Sequence, residues 1–178
     1  ILAGDHVYKM DYQKIEQLRN NRAGNTEKIV DTVACQRAYE AERTGDLTMH
    51  LTQGGVAMSA EYFSKVVEEL FDNAIRYSRK GSPLEVESEV KGKEFVLRIR
   101  DQGRGMSAEQ LHSIGAYMQF DRKVYEQQGS GLGLTVAMRL TEIHGGFLRL
   151  ESEYEEGTTV TVTLPASADE GHPPEEDQ

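Results

Sequence analysis

The sequence predicts an α+β fold, a two-layer sandwich in which one mixed, mostly antiparallel sheet carries helices on one face. Two strand-period runs, 84–90 and 94–101, flank the turn Lys91-Gly92-Lys93. A second pair, 147–153 and 158–164, flanks Glu155-Glu156-Gly157. A long helical-period stretch precedes the first pair, and a shorter one precedes the second.

In chain order, Tyr8, Tyr12, Ile15 and Leu18 recur at helical spacing, and Arg22-Ala23-Gly24-Asn25 breaks the pattern. Ile29, Val33, Ala34, Ala38 and Ala41 predict a second helix that ends near Gly45. Leu47, Met49 and Leu51 alternate as in a strand, which Gly54-Gly55 ends. Ser59 is placed to cap a helix over 60–79, and Gly81-Ser82-Pro83 stops it. Residues 102–133 are rich in Gly, Gln, Ser and Met, with a short helical piece over 108–114. A helix over 134–144 meets the stop Gly145-Gly146. From Pro165 onward Asp, Glu, Gly and Pro accumulate without period, so 167–178 reads as a disordered acidic tail.

Over 178 residues, 30 acids against 20 Lys and Arg give a net charge of −10. That balance argues against nonspecific nucleic-acid binding and against docking on anionic lipid. It leaves room for a phosphorylated small molecule, because backbone N–H groups and a metal can bind phosphate with few cations. No apolar run approaches the ~20 residues that span a bilayer. The start at Ile1, without Met, suggests a fragment whose parent has room for a membrane anchor elsewhere. Cys35 has no internal disulfide partner and is expected to be a small buried thiol in a reducing cytoplasm.

Three constellations carry chemistry. On the helix over 60–79, Phe63, Val67, Leu70 and Ala74 share one side, while Lys65, Glu68, Asp72 and Arg79 form the expected solvent face. Glu69, Asn73, Arg76 and Lys80 form a stripe between them. An Asn carbonyl can ligate Mg²⁺ and a Glu can polarise water; an ordinary amphipathic helix with surface ion pairs is the alternative. Asp101 falls in phase with the apolar Phe95, Leu97 and Ile99, and Gly103 and Gly105 follow it. A carboxylate aimed inward needs a hydrogen-bond donor. The amino group of adenine is one candidate, and the cap of the following turn is the other. Gly129-Ser130-Gly131-Leu132-Gly133-Leu134 runs into a helix, whose first N–H groups suit phosphate. It is neither a Walker pattern nor a convincing dinucleotide fingerprint.

The order of these three segments resembles the ATPase superfamily shared by gyrase, the Hsp90 chaperones, histidine kinases and MutL. The stretch from Glu69 to Ser78 resembles the histidine-kinase N box, and Asp101-Gln102-Gly103-Arg104-Gly105-Met106 the first glycine box. Phe120-Asp121-Arg122 resembles the F box. Gln128-Gly129-Ser130-Gly131-Leu132-Gly133-Leu134 resembles the second glycine box, and His144-Gly145-Gly146 the end of the helix after it.

The resemblance implies a Bergerat-type ATP-binding fold over about 25–165. It implies an upstream helix or linker from a truncated dimerisation region (1–23), an ATPase domain (24–166) with an ATP lid at about 104–131, and the tail. ATP and Mg²⁺ are the implied cofactors. Asn73, and Glu69 beside it, would hold Mg²⁺ or act catalytically. Glu69 stands where kinases often have Asn and gyrase-type ATPases have the water-activating Glu. Arg76 and Lys80 would face phosphate, Tyr77 would flank the nucleotide, and Asp101 would accept from adenine. Gly103, Gly105, Met106, Gly129, Ser130, Gly131, Leu132 and Gly133 would complete the nucleotide site. Met118 and Phe120 would pack on the nucleotide or lid, and Arg122 is a candidate cation for transfer.

The implied activity is that of a sensor histidine kinase, a cytoplasmic transferase in a two-component phosphorelay. None of the five histidines matches the phosphoacceptor pattern, so the acceptor is expected on a dimerisation domain outside this sequence, with a response-regulator receiver as the further partner. Nucleic acid and direct membrane contact are not expected. The alternative is an anti-sigma-factor-like or other ATPase of the superfamily that regulates a protein partner.

Overall fold

The computed structural model describes residues 23–112 and 132–167. The expected upstream helix or linker (1–23) apart from Ala23, most of the expected lid including Gly129, Ser130 and Gly131, and the expected tail beyond Ser167 lie outside the described residues, as do Met118, Phe120 and Arg122.

Helix α1 (Thr26–Glu40) opens with the Asn25 side chain accepting from the Lys28 N–H at 3.0 Å. It buries Val30, Val33, Ala34 and Ala38. Those positions define one stripe, and Cys35 lies off it. The thiol is exposed rather than buried, which corrects the sequence expectation. A single 3₁₀ turn (Thr44–Asp46) leads into β1 (Leu47–His50).

Helix α2 (Ala60–Tyr77) is capped by Ser59, whose hydroxyl accepts from the Tyr62 N–H at 3.2 Å. Phe63, Val66, Val67, Leu70, Phe71 and Ala74 recur every three or four residues and are all buried. Each large side chain among them contributes about 1.5–3 kcal/mol by leaving water. The helix ends two residues before the expected boundary at 79. Ser78 adopts an extended backbone there, and Arg43 takes up the terminal acceptors. The supposed solvent face is also partly occupied, because Arg37 of α1 reaches Glu68 at 3.5 Å and Asp72 at 3.4 Å.

Strands β2 (Leu84–Lys91) and β3 (Glu94–Asp101) form the first hairpin. Helix α3 (Leu132–Ile143) precedes β4 (Phe147–Glu153) and β5 (Gly157–Pro165), the second hairpin. The five strands stand in the order β1-β2-β3-β5-β4. Only β1 with β2 is parallel; β3 joins the hairpins by pairing antiparallel with β5.

The strands' alternation assigns the two faces. Leu84, Val86, Phe95, Leu97, Ile99, Leu148, Val160, Val162 and Leu164 form one core with the helices. Phe63 of α2 meets Phe95 of β3 edge to face, with ring centroids 5.7 Å apart. The opposite face is charged, with Arg98 on Glu89 at 2.8 Å and Arg149 on Glu151 at 2.9 Å. This is the two-layer sandwich that the hydrophobic periods predict.

Candidate functional site

The site is built along the second half of α2. Its polar stripe lies between the buried face and the side clasped by α1. Glu69, Asn73 and Tyr77 are half-buried, and Arg76 is exposed. Glu69 is paired at one oxygen and lies close to α3 at the other. Oε1 lies 2.6 Å from Nζ of Lys65, one turn earlier. Oε2 lies against Gly133 in the first turn of α3, so closely that a methyl group there would collide with it. The N-box-like segment and the end of the second glycine-rich segment therefore meet. Helix α3 already includes Leu132 and Gly133, ahead of the expected start at 134, and Gly133 has no side chain for Glu69 to strike. The Asn73 side chain meets no hydrogen-bond partner among the described residues. Arg76 forms no ion pair among them either.

The first glycine-rich segment is fixed at the other end of the stripe. Asp101 ends β3 in phase with Leu97 and Ile99, and only 6% of it is exposed. Its Oδ1 accepts from the Gly103 N–H at 2.8 Å, so it does cap the turn that follows. Burial pushes its pKa up to about 6, against the opposing pull of the Gly103 and Thr158 N–H groups and the charge of Arg43. The inward phase and the turn cap that the sequence suggests for Asp101 are both seen here.

Residues 103–105 are wedged between two elements. Gly103 sits against the Tyr77 carbonyl, which accepts from the Arg104 N–H at 3.1 Å. The Arg104 carbonyl accepts from the Glu155 N–H at 2.8 Å. Gly105, at φ +56°, packs against the carbonyls of Glu153 and Gly157, where no side chain fits. The guanidinium of Arg104 lies 4.7 Å over the Tyr77 ring. Met106 follows, half-buried.

Asp101, Gly103, Gly105 and Tyr77 therefore cluster at one end, Glu69 and Gly133 at the other, with Asn73 between them on α2. Lys80 stands apart. It lies three residues beyond the end of α2 and pairs with Glu42 at 2.6 Å, so the helical stripe stops at Arg76. Leu132 starts α3, but its side chain is outside the described set. Among the described residues no group of three or more His, Cys, Asp and Glu is arranged to hold a metal. None of their helices is long and apolar enough to cross a membrane.

Two supporting residues escaped the sequence reading. Arg43 is buried and pairs with Asp46 at 2.7 Å. It also donates to the Ile75 carbonyl at 3.3 Å, Ser78 Oγ at 2.7 Å and the Ser82 carbonyl at 2.9 Å, closing the end of α2. Nothing in its local sequence signals this. Lys65 is exposed, as the helical period predicts, and its pairing with Glu69 is signalled by their spacing of four. His144 is buried at the end of α3, with Nδ1 2.7 Å from the Leu140 carbonyl and its ring 5.9 Å from that of Tyr62. That is the structural place expected of it.

Comparisons with known proteins bear on the family and the fold. An uncharacterised sensor-like histidine kinase of Rhizobium meliloti is 28% identical over 167 residues, which are 89% of this chain and 32% of that protein. The methanogenesis regulatory histidine kinase FilI of Methanothrix harundinacea is 30% identical over 173 residues, 93% of this chain and 19% of that protein. The chain thus spans a third or less of these relatives. Among solved structures, the mycobacterial sensor histidine kinase MprB superposes with a TM-score of 0.68 at 23% identity, covering 83% of this chain and 97% of that one. Acinetobacter baumannii histidine kinase AdeS gives 0.64 at 22%, covering 91% and 76%. The sequence model of one ATPase family matches residues 58–168, the span that contains α2, both glycine-rich segments and four of the five strands. The chain belongs to the family of histidine kinase-, DNA gyrase B- and HSP90-like ATPases.

Proposed function

We propose that this chain is the ATP-binding catalytic domain of a sensor histidine kinase, which passes the γ-phosphoryl group of ATP to a histidine on a dimerisation domain, for relay to a response-regulator receiver. The observation that carries the reading is the convergence on α2. The Asp101 turn abuts its last residue, Tyr77, and the start of α3 abuts Glu69. A nucleotide laid along the intervening stripe would have its base at Asp101 and its phosphates at Gly133.

In this reading Asp101 accepts from the adenine amino group, and Gly103 and Gly105 leave the floor bare for the base. Tyr77 and Met106 flank it. Arg76 and the segment Gly129, Ser130, Gly131, Leu132 and Gly133 receive the phosphates, with Lys80 a more distant cation. Residues 24–166 form the domain, and about 104–131 cover the nucleotide. Residues 1–23 link to the dimerisation region, and 167–178 are a tail. The cytoplasm is the proposed location.

Mg²⁺ fits the residues present. Asn73 has a side chain without a described partner, one turn from Glu69, and both offer hard oxygen atoms. Mg²⁺ keeps several waters and takes one or two protein ligands beside phosphate oxygens, so two donors are enough. When bound, the metal neutralises phosphate charge. Asn73 and Glu69 orient the phosphates and hold charge in place, and transfer demands little else of the protein than in-line positioning.

The test is calorimetry and labelling of the 178-residue chain. ATP binds, and Mg²⁺ tightens binding in the native chain but not in Asn73→Ala. Radiolabelled γ-phosphate stays off the chain alone and appears, acid-labile, on the parent's phosphoacceptor hairpin supplied in trans. Release of free phosphate with no transfer to the hairpin would replace the kinase reading with a regulatory ATPase.

A further inference from the structure

On α2, outside its buried face, Glu68, Glu69 and Asp72 fall within five residues. Three carboxylates so close to a polyanion's proposed seat work against its binding. Two cations answer them. Arg37 reaches across from α1 to Glu68 and Asp72, at 3.5 and 3.4 Å. Lys65 takes Glu69 Oε1 at 2.6 Å and lies 3.6 Å from Glu68. Glu69 is the acid of this group that lies against the first turn of α3, through Oε2 at Gly133. Its charge is therefore the one that would bear most directly on phosphate, and Lys65 is the cation assigned to it.

We propose that Lys65 is a positioning residue for nucleotide binding: it fixes the Glu69 carboxylate by one oxygen and offsets its charge, so that a triphosphate can approach the start of α3. The proposal rests on the nucleotide reading above and adds a residue to it. Lys65 need not touch the ligand. Its influence runs through Glu69, so it depends on the charge of the ligand and vanishes when Glu69 is neutral.

The experiment is NMR titration of the 178-residue chain with Mg²⁺-free ATP and, separately, with adenosine, at low salt so that screening is weak. Lys65→Gln is expected to weaken ATP binding about three- to five-fold, the effect of removing one partly exposed ion pair, and to leave adenosine affinity unchanged. Lys65→Arg keeps native ATP affinity. In a Glu69→Gln background the same Lys65→Gln change moves ATP affinity by less than about two-fold, the mark of an interaction passing through that pair. Equal affinity of native chain and Lys65→Gln for ATP would overturn the proposal, as would equal losses for ATP and adenosine, or an undiminished Lys65→Gln loss in the Glu69→Gln background. A native chain that binds neither ligand would instead overturn the nucleotide reading, a result distinct from all of these.

Discussion

Replacing Asp101 by Asn separates what the carboxylate does for binding from what it costs the fold. The side chain is 6% exposed, and burial raises its pKa from 3.8 to about 6. Below pH 3.8 the group is neutral in both folded and unfolded chains. Between there and 6 the folded chain keeps the proton longer. The stability from this group is therefore complete at low pH and lost as pH rises through 6. Slightly more than two pK units correspond to about 3 kcal/mol. An Asn has no charge to desolvate, and its amide oxygen can still accept from Gly103. In urea unfolding at several pH values from 4 to 7, the variant is expected to gain on the native chain by up to about 3 kcal/mol as pH rises. Its affinity for ATP should move the other way. A hydrogen bond to a charged acceptor contributes about 1.5–3 kcal/mol, so calorimetry at pH 7.5 should find binding roughly 10- to 100-fold weaker. Parallel pH curves would refute the buried-charge argument, and unchanged ATP affinity would remove Asp101 from the adenine site.

Two further predictions concern the frame around the site. Arg43→Met removes a buried guanidinium and leaves the carbonyls of Ile75 and Ser82 without their donor, while Asp46 keeps the Gly81 N–H; chemical denaturation should show a loss of about 2–4 kcal/mol. A loss below about 1 kcal/mol would mean that water replaces those bonds. Gly105→Ala forces a Cβ into the carbonyl of Glu153 from a left-handed backbone, and should cost at least about 2 kcal/mol by the same assay. Hydrogen exchange should also show the Glu155 amide losing protection as the turn leaves the second hairpin, and a variant with native protection there would contradict that packing.

Much of this protein can be read from periodicity. The two hairpins, the Ser59 cap and the buried face of α2 follow from spacing alone, because a half-buried helix or strand must place apolar groups at its own period. The inward phase of Asp101 is equally local: a residue two positions after Ile99 shares its face. Cys35 is exposed although its residue type suggests burial, because it lies off the buried stripe of α1. The helical period carries the stripe on to Lys80, but the Arg43 contacts that end α2 at Tyr77 come from another element.

Local sequence, then, determined the strands, the helices and which side chains must leave water, since those depend on neighbours three or four residues away. Tertiary structure decided what no short window contains. It made β1 parallel to β2, pressed the Asp101 turn onto Tyr77 and Glu155, and brought Gly133 against Glu69, sixty-four positions earlier in the chain. Such pairings are selected by the packing of the whole core, in which one element's free backbone groups and bare glycines are matched to another's side chains.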